Sequence, residues 1–542
     1  MIQKLHAHSN QLHYKTIIKT CSKGVIVFFL SLFLVQCTSV KKHNAKIDKE
    51  ISVKQLHKDV DFTYRKLQKL QPQLYQYISK TALDAKFDSL KTTITKPLTS
   101  YAFFTKLSPV VASIGQGHTF TYPNMKRFTK KESKLLKKQD GPFSQFEFEI
   151  FDNKLYVVNN ESDLKVIKVG DELTQINNEP VQPLIEEFKN WITSDGYNTT
   201  FKDKFIGQRL GTFYTFKNQY QDSIAFEFNH ENSYWVKRKA KDSATHTIKT
   251  TKEKLTTIQK DSISKVNKHL SKLGYNKLTK KYHRDLSFTA KDSCTAIMKI
   301  KSFTVGNYHG FYKESFETLK QTGTQNLIID LRYNFGGRLN EIEELYSYLA
   351  ADSTYTFSRP SQVAGKTSMF QMDYFKGSKP LLFTVKALVS PIVYGYLFFR
   401  TNKKDDGNYY ITSSKEKKAK ENKFTGNVYV LINGGSFSAS SILSTKLKAN
   451  KRAVFVGEET GGDYNGTVAG FMPKITLPNS KVKVRLGLMY VNAVEKTEVI
   501  GHGIYPDVAI SPTIDDRVKD NDPEMNYILE TIKTKTTAEI TE

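Results

Sequence analysis

The sequence predicts an α/β fold whose main domain is built on a largely parallel sheet. Short apolar segments typical of buried strands alternate there with helical patterns, and glycine-containing turns follow two of the strands. Asn326–Leu331 and Asn427–Ile432 are the clearest of these strands, and a helix is predicted from Ser438. Parallel strands need long crossover connections, usually helices, so the alternation favours parallel pairing.

Length and composition indicate a multi-domain globular protein. The chain has 542 residues, which is more than one hydrophobic core normally supports. Its hydrophobic content of 39% and aromatic content of 12% are sufficient for packed cores and exclude a disordered or fibrous protein.

The net charge of +27 is partly concentrated in one block, where fifteen Lys or Arg lie against three acids between Lys237 and Arg284. Clustered cations can bind nucleic acid by releasing counterions from phosphates. The block has few aromatics, only Tyr275 and Tyr282, and it lacks zinc-ligand spacing and an RNA-binding motif. We therefore expect no nucleic-acid partner, and favour a solvated helical insertion that touches an anionic membrane surface.

The N-terminus has the pattern of an export signal. Basic residues precede the apolar run Val25–Val35, which is too short for a permanent span but suits a signal peptide. The run ends in Leu-Val-Gln-Cys37, which resembles the lipobox of bacterial lipoproteins. The resemblance implies a signal peptide over 1–36, acylation of Cys37 and a membrane-anchored location in the cell envelope, on the periplasmic side or the cell surface. An ordinary signal peptide or an uncleaved anchor is the alternative.

Four segments are predicted between the signal peptide and the main domain. Residues 37–60 are a polar linker, and apolar residues at helical spacing indicate a helical region over 61–140. Alternating strand patterns over 141–195 include Val169–Val181, a string that resembles a PDZ-type module. Residues 196–290 hold the basic insertion.

The main domain is expected over 291–515, followed by a C-terminal tail over 516–542. Residues 380–399 within the domain are apolar except for a few positions. We favour a lid or insertion that packs on the domain, because Lys386 and Pro391 weaken a membrane span. A segment that touches the membrane is the second interpretation.

Three segments of the main domain carry its candidate chemistry: Leu327–Gly337, Leu431–Ser441 and Val454–Gly462. Ligands in open α/β sheets bind beyond the carboxyl ends of the strands, where the first two of these segments turn. Ser438 begins a helix, so unpaired amides and a favourable dipole lie beside it, as a developing oxyanion requires. A simple N-cap is the alternative role for this serine.

All three segments resemble motifs of peptidase family S41, the tail-specific or C-terminal-processing peptidases, whose patterns are D-L-R-x-N-x-G-G, N-G-x-[ST]-x-S-A-S-E and V-G-E-x-T-x-G. The similarity covers about 296–512, after the PDZ-like stretch. It implies an S41-type catalytic domain with Ser438 as nucleophile. It also implies an oxyanion hole formed by the amide of Ala439 and one from Gly336 or Gly337.

The general base differs from the Ser–Lys dyad of part of that family. Asp463 occupies the position expected for the lysine, and Ser441 stands where that branch often has Glu. The tricorn-like branch instead takes a histidine from an N-terminal G-x-G-H-T element, and this chain has Gly115-Gln-Gly-His-Thr119. The resemblance implies that His118 is the base.

A carboxylate should orient that histidine. The tricorn-like branch places a Glu shortly before a G-[VI]-x-P-D motif, which is Gly503–Asp507 here. The counted position is not acidic, and Glu498 lies two residues away, with Glu495 as the second candidate.

The sequence therefore predicts a cell-envelope serine endopeptidase that cleaves unfolded or C-terminal polypeptide segments through an acyl-enzyme on Ser438, without metal or cofactor. Its expected partners are polypeptide substrates and, through the lipid on Cys37, a membrane. One alternative is a catalytically inactive S41-like lipoprotein that binds peptides. Another is an envelope scaffold whose working surface is the basic insertion.

Overall fold

A computed structural model describes residues 39–241, 257–276, 279–289, 293–378, 380–411 and 415–541. The predicted signal peptide and Cys37 lie outside these residues. The helices are α1 Val40–Asn44, α2 Val53–Leu70, α3 Lys80–Thr92, α4 Ser100–Ala112, α5 Lys130–Leu136, α6 Val181–Asn190, α7 Thr200–Gly207, α8 Leu210–Asn218, α9 Thr257–Lys272, α10 Tyr308–Gln321, α11 Leu339–Ser347, α12 Pro380–Arg400, α13 Ala439–Ala449, α14 Ile514–Val518 and α15 Pro523–Thr541.

The strands are β1 Phe120–Tyr122, β2 Gln139–Asp140, β3 Phe146–Phe151, β4 Lys154–Asn160, β5 Leu173–Ile176, β6 Glu179–Pro180, β7 Ser223–Phe228, β8 Asn232–Lys237, β9 Lys239–Ala240, β10 Arg284–Phe288, β11 Thr295–Ile300, β12 Asn326–Asp330, β13 Thr354–Tyr355, β14 Ser361–Val363, β15 Thr401–Lys403, β16 Tyr409–Ile411, β17 Lys417–Lys418, β18 Asn427–Ile432, β19 Val454–Gly457, β20 Gly466–Ala469, β21 Lys474–Thr476, β22 Lys483–Arg485, β23 Met489–Asn492 and β24 Val508–Ala509.

The central sheet has the strand order β10-β11-β12-β18-β19-β24. Every neighbouring pair in it is parallel except β10 with β11, so the predicted mostly parallel α/β domain is confirmed. Side chains alternate between the two faces of a strand. On one face Leu327 and Ile329 pack with α10, α11 and α13, and on the other Ile328 packs with Ile528 of α15.

The C-terminal segment is therefore a layer of the domain, although the sequence leaves 516–542 as a tail. Ile528 is fully buried against the sheet. Arg332, just after β12, donates to Asp522 at 2.8 Å and pairs with Glu524 at 3.2 Å. These contacts fix the start of α15 at the end of a central strand.

The helical N-terminal region is also present, as α2, α3 and α4. Leu56, Val60 and Leu67 share one buried face of α2, as their helical spacing requires. Asp59, on the same helix, is fully buried, and its carboxylate accepts the amide of Ser480 at 2.6 Å. This contact joins the N-terminal region to the turn between β21 and β22 of the main domain.

The β-rich module does not end at residue 195. Its sheet has the order β6-β5-β7-β8, so Leu173–Ile176 pairs with Ser223–Phe228 from the predicted basic insertion. The predicted insertion therefore supplies β7, β8, α7 and α8 to this part of the body. Its strand β9 pairs with β2, and β10 is an edge strand of the central sheet, so that sheet begins before residue 291. Whether this module is a PDZ domain stays a prediction.

The apolar segment after residue 379 forms α12, a single helix that contains Pro391. Val393, Tyr394 and Leu397 pack against the protein, as expected for a packed insertion. Most of the other side chains are exposed. Of the helices that the structure describes, Leu382–Arg400 is the one with the length and composition of a membrane span.

Candidate active site

Two turns at the carboxyl ends of adjacent parallel strands form the base of the site. The turn after β12 and the turn after β18 are joined by two asparagines. Asn433 Oδ1 accepts the amides of Tyr333 at 3.0 Å and Gly435 at 2.9 Å. The Asn334 carbonyl accepts the amide of Phe437 at 3.1 Å and the Ser440 hydroxyl at 2.7 Å. These bonds hold the turns at the edge where the sequence predicts a site.

Ser438 directly precedes α13 and has an unusual backbone conformation. Its φ is 58° and its ψ is −116°, in a region that non-glycine residues rarely occupy. Such conformations cost about 1–3 kcal/mol and are retained where the surroundings impose them, often at functional sites. The side chain is 8% exposed and makes no capping bond to its own helix. The structure therefore argues against the simple N-cap role.

His118 lies in the turn between α4 and β1, and its Nε2 is 2.9 Å from the Oγ of Ser438. The ring packs against Phe437, with 4.8 Å between centroids. Arg485 of β22 donates its Nε to the carbonyl of His118 at 2.9 Å. Histidine and serine are thus in hydrogen-bond contact, and separate elements hold them there.

The electrostatics of the site keep this histidine neutral. Burial first, and then the positive charge of Arg485, lower the pKa of His118 from 6.5 to about 3. A neutral imidazole can accept the serine proton, whereas an imidazolium cannot. His118 is therefore in its proton-accepting form over the whole neutral range.

The candidate oxyanion-hole amides have different neighbours. The amide of Gly336 donates to Asn334 Oδ1 at 3.0 Å. Among the described residues, the amides of Gly337 and Ala439 have no acceptor. A Cβ on Gly336 would lie 2.7 Å from the Cβ of Ser438, so only glycine lets the two turns approach this closely. The sequence left Gly336 and Gly337 open, and this geometry favours the amide of Gly337.

The structure does not bring a predicted carboxylate to the histidine. Glu498 and Glu495 are both exposed, in the segment after β23. In the part of the chain that is described, neither makes a hydrogen bond with His118. The assignment of Glu498 as the orienting group stays a prediction that no contact supports.

Asp463, at the position of the lysine of the dyad, is an acceptor in a buried network. Its Oδ2 accepts the hydroxyl of Tyr77 at 2.6 Å and the amide of Gly501 at 2.9 Å, and its Oδ1 accepts the amide of Asn465 at 2.7 Å. Ser441, at the position where that branch often has Glu, donates to the carbonyl of Ser436 at 2.9 Å. Neither side chain contacts Ser438.

Sequence reasoning missed Asp195, which is 1% exposed behind the histidine turn. Its Oδ1 accepts the amide of Gly117 at 2.8 Å, and its Oδ2 is buried without a hydrogen bond. Burial, with a smaller contribution from the charge of Asp463, raises the pKa of Asp195 to about 7. Asp195 follows Thr-Ser and precedes Gly196, a turn signature that indicates a loop and not a site.

A cavity of about 240 Å³ opens beside His118 and Phe437. Its wall is mainly aromatic and contains two guanidinium groups, Arg209 and Arg485. Arg209 stacks on Phe205 and Phe335, with its Cζ 4.8 and 5.2 Å from the ring centroids. The remaining lining residues are Gly117, Phe120, Tyr122, Ile192, Thr193, Phe201, Thr212, Phe213 and Phe216. No local pattern in the sequence predicts this cavity, because distant segments of the chain build it together.

Comparisons with known proteins identify the kind of domain that carries this site. Residues 294–510 match the profile of peptidase family S41. The structure of mature CPAF complexed with lactacystin is 14% identical, with a TM-score of 0.56 over 90% of this chain and 98% of that chain. Mature CPAF alone is 14% identical, with a TM-score of 0.53 over 86% and 94%.

A photosystem II D1 C-terminal processing protease is 11% identical, with a TM-score of 0.41 over 84% of this chain and 93% of that chain. No curated protein matches the sequence. At 14% identity the likeness to mature CPAF shows the fold alone, while the profile match shows the kind of domain. The chain carries, over residues 294–510, a domain of peptidase family S41, a family of serine-type proteases.

Proposed function

We propose that this protein is a serine endopeptidase in which Ser438 attacks the peptide carbonyl and His118 accepts its proton. The 2.9 Å contact between His118 Nε2 and Ser438 Oγ carries the proposal. The acyl-enzyme forms as His118 returns the proton to the leaving amine, and water then releases the acyl group by the same route. The amides of Ala439 and Gly337 stabilise the oxyanion.

The aromatic cavity is where an apolar substrate side chain enters. It adjoins His118, and its walls are rings with no carboxylate among the lining residues. Apolar pockets that carry a few polar groups are typical binding sites for side chains of this size. We infer that a bulky apolar residue next to the scissile bond is preferred, in an unfolded or C-terminal segment of a polypeptide.

The location follows from the N-terminal pattern and belongs to the same proposal. Lipidation of Cys37 would hold the enzyme in the cell envelope, where exported polypeptides are its substrates. Replacing Cys37 with Ala should abolish fatty-acid labelling and release the protein from membranes. Unchanged labelling would refute the lipid anchor without affecting the catalytic assignment.

The β-rich module would help to capture long substrates if it acts as PDZ modules do, by adding an extended peptide to a sheet edge. β8 is an edge strand of its sheet, and Trp235 on it is exposed. Replacing Trp235 with Ser should therefore slow cleavage of an unfolded protein more than hydrolysis of a short ester.

The second candidate function is an inactive peptide-binding protein with the same fold. It is favoured by the absence, among the described residues, of a carboxylate bonded to His118. A fluorophosphonate probe separates the two candidates, because it reacts with an activated serine. Labelling of the wild type and of the exposed control Ser89→Ala, but not of Ser438→Ala, is the expected result. If the folded wild type is not labelled, the inactive peptide-binding function is supported instead.

A further inference from the structure

The exposed face of α12 carries a continuous stripe of apolar side chains along one side of the helix. The stripe consists of side chains three or four positions apart, which therefore share one side of the helix: Leu382, Val385, Val389, Ile392, Tyr396 and Phe399. Ile392 is 72% exposed and Phe399 is 78% exposed. Removing such side chains from water is favourable, so a continuous exposed stripe of this size indicates a binding surface.

The opposite side of the helix is fixed to the protein. Leu397 is buried and Tyr394 stacks near Phe370, with 5.0 Å between ring centroids. Lys386 donates to the carbonyl of Tyr374 at 2.7 Å. β15 follows the helix directly and pairs with β16. A helix held along its length in this way presents the stripe to a surface and does not cross a bilayer.

Cations are frequent in the sequence around the stripe. Residues 374–404 contain six Lys or Arg and no Asp or Glu. Near the start of the helix lies a cation cluster, defined here as Arg127, Lys376, Lys474 and Lys483. Burial, and then repulsion from the other three members, lower the pKa of Lys483. Lys376 also pairs with Asp373 at 2.5 Å. Such a surface is complementary to negative charge.

The N-terminal segment reaches the same side of the molecule. Asn44 and Arg127 exchange two hydrogen bonds, of 2.9 and 2.8 Å, and His43 Nε2 lies 3.1 Å from the carbonyl of Met125. Asn44 lies seven positions after Cys37, and an extended chain of that length spans at most about 25 Å. A lipid on Cys37 would therefore bring a bilayer close to the cation cluster.

We propose that the apolar stripe and the cation cluster together form a docking surface for an anionic lipid bilayer, with α12 lying in the interface. The stripe enters the boundary between headgroups and acyl chains, and the cations contact anionic headgroups. The inference concerns how the domain meets the membrane and is independent of the proposed catalysis. A second copy of the chain is the competing occupant of the stripe.

A local fluorescence measurement tests the stripe. In the full chain with Cys21, Cys37 and Cys294 replaced by Ser, Ile392→Cys carries an environment-sensitive fluorophore, and Ser89→Cys, at an exposed position of α3, is the control. Vesicles of phosphatidylcholine and phosphatidylglycerol should shift the emission at 392 to the blue and leave the emission at 89 unchanged. Three results would overturn the proposal: no flotation with these vesicles, unchanged emission at 392 in floated protein, or a blue shift without vesicles that grows with protein concentration.

Charge reversal tests the cluster. The double variant K474E/K483E should weaken binding to phosphatidylglycerol vesicles, relative to pure phosphatidylcholine, by at least about tenfold. The matched control K80E/K86E, on α3, should bind as the parent does. Equal binding of both variants would overturn the role of the cations. Fluorophosphonate labelling of Ser438 should be unchanged in every variant, so failure of this proposal is distinguishable from failure of the catalytic assignment.

Discussion

His118 Nε2 lies 2.9 Å from Ser438 Oγ, although 320 residues separate the two in the chain. The N-terminal region supplies the histidine and the central sheet supplies the serine. Asp59 bonds the same N-terminal region to the Ser480 turn, and Arg485 of the adjoining strand holds the histidine carbonyl. The pair therefore depends on how the N-terminal helices dock on the catalytic domain.

Because the two side chains act as a unit, their removal should be strongly non-additive. Ser438→Ala and His118→Ala should each lower kcat/KM by at least about 10³-fold, and the double variant should lose little more. Asp463→Asn should be milder, because Asp463 bonds Tyr77 and Gly501 and not Ser438. Rates on a chromogenic ester with unfolding curves for each variant provide the check. Near wild-type turnover of His118→Ala would contradict the assignment.

The acid limb of the pH profile of kcat/KM should lie well below 6.5, the usual pKa of histidine. A pKa of about 3 keeps His118 neutral, and so able to accept a proton, down to acidic pH. Replacing Arg485 with Met removes the positive charge that helps to lower the pKa of His118, so the acid limb should move to higher pH. It should not reach 6.5, because burial of the ring remains. Arg485→Lys keeps the charge and should keep the limb. An acid limb of wild-type kcat/KM at 6.5 or above, in protein shown to be folded by fluorescence, would disagree.

Replacing Gly336 with Ala should inactivate the enzyme, whereas the same replacement at an open glycine should not. Its Cβ would lie 2.7 Å from Ser438 Cβ and 2.8 Å from the amide nitrogen of Ala439, so the two turns must separate. Gly365→Ala is the control, because nothing lies within 4 Å of a Cβ there. We expect loss of fluorophosphonate labelling in the first variant only, with both proteins folded by circular dichroism.

The raised pKa of Asp195 should make the free energy of unfolding depend on pH. Its pKa is raised from 3.8 to about 7, so between these values the folded state binds more protons than the unfolded state. Its contribution to stability is therefore lost as the pH rises from about 4 to 7. Asp195→Asn should remove this decline, while the exposed control Asp48→Asn should keep it. Urea unfolding across this pH range measures the difference, and parallel curves for wild type and Asp195→Asn would refute it.

Substrate preference should follow the aromatic cavity. Peptides with Phe or Leu beside the scissile bond should be cleaved about 10–100-fold faster in kcat/KM than those with Gly. Thr212 lines the cavity and is exposed, so Thr212→Trp should fill it and reduce this preference. Thr92→Trp, on the N-terminal helix α3, is the matched control. An unchanged preference in Thr212→Trp would show that the cavity does not hold the substrate.

The sequence by itself determined the central α/β sheet and the serine turn. Alternating apolar strands and helices are local patterns, so Asn427–Ile432 and the helix after Ser438 could be located without the rest of the chain. Motif similarity named His118 as a partner for Ser438, but the contact between them, and the roles of Arg485 and the aromatic cavity, exist only after distant segments pack.

The tertiary structure also decided what local patterns left open or missed. The buried carboxylate of Asp195 and the network of Asp463 acquire their properties from desolvation, which depends on the whole fold. The β-rich module extends past residue 195 because strand pairing between Leu173–Ile176 and Ser223–Phe228 is non-local. The apolar segment 380–399 is compatible in sequence with both a packed lid and a segment that touches a membrane. The structure shows that one face of the helix packs on the protein and that the other face is exposed.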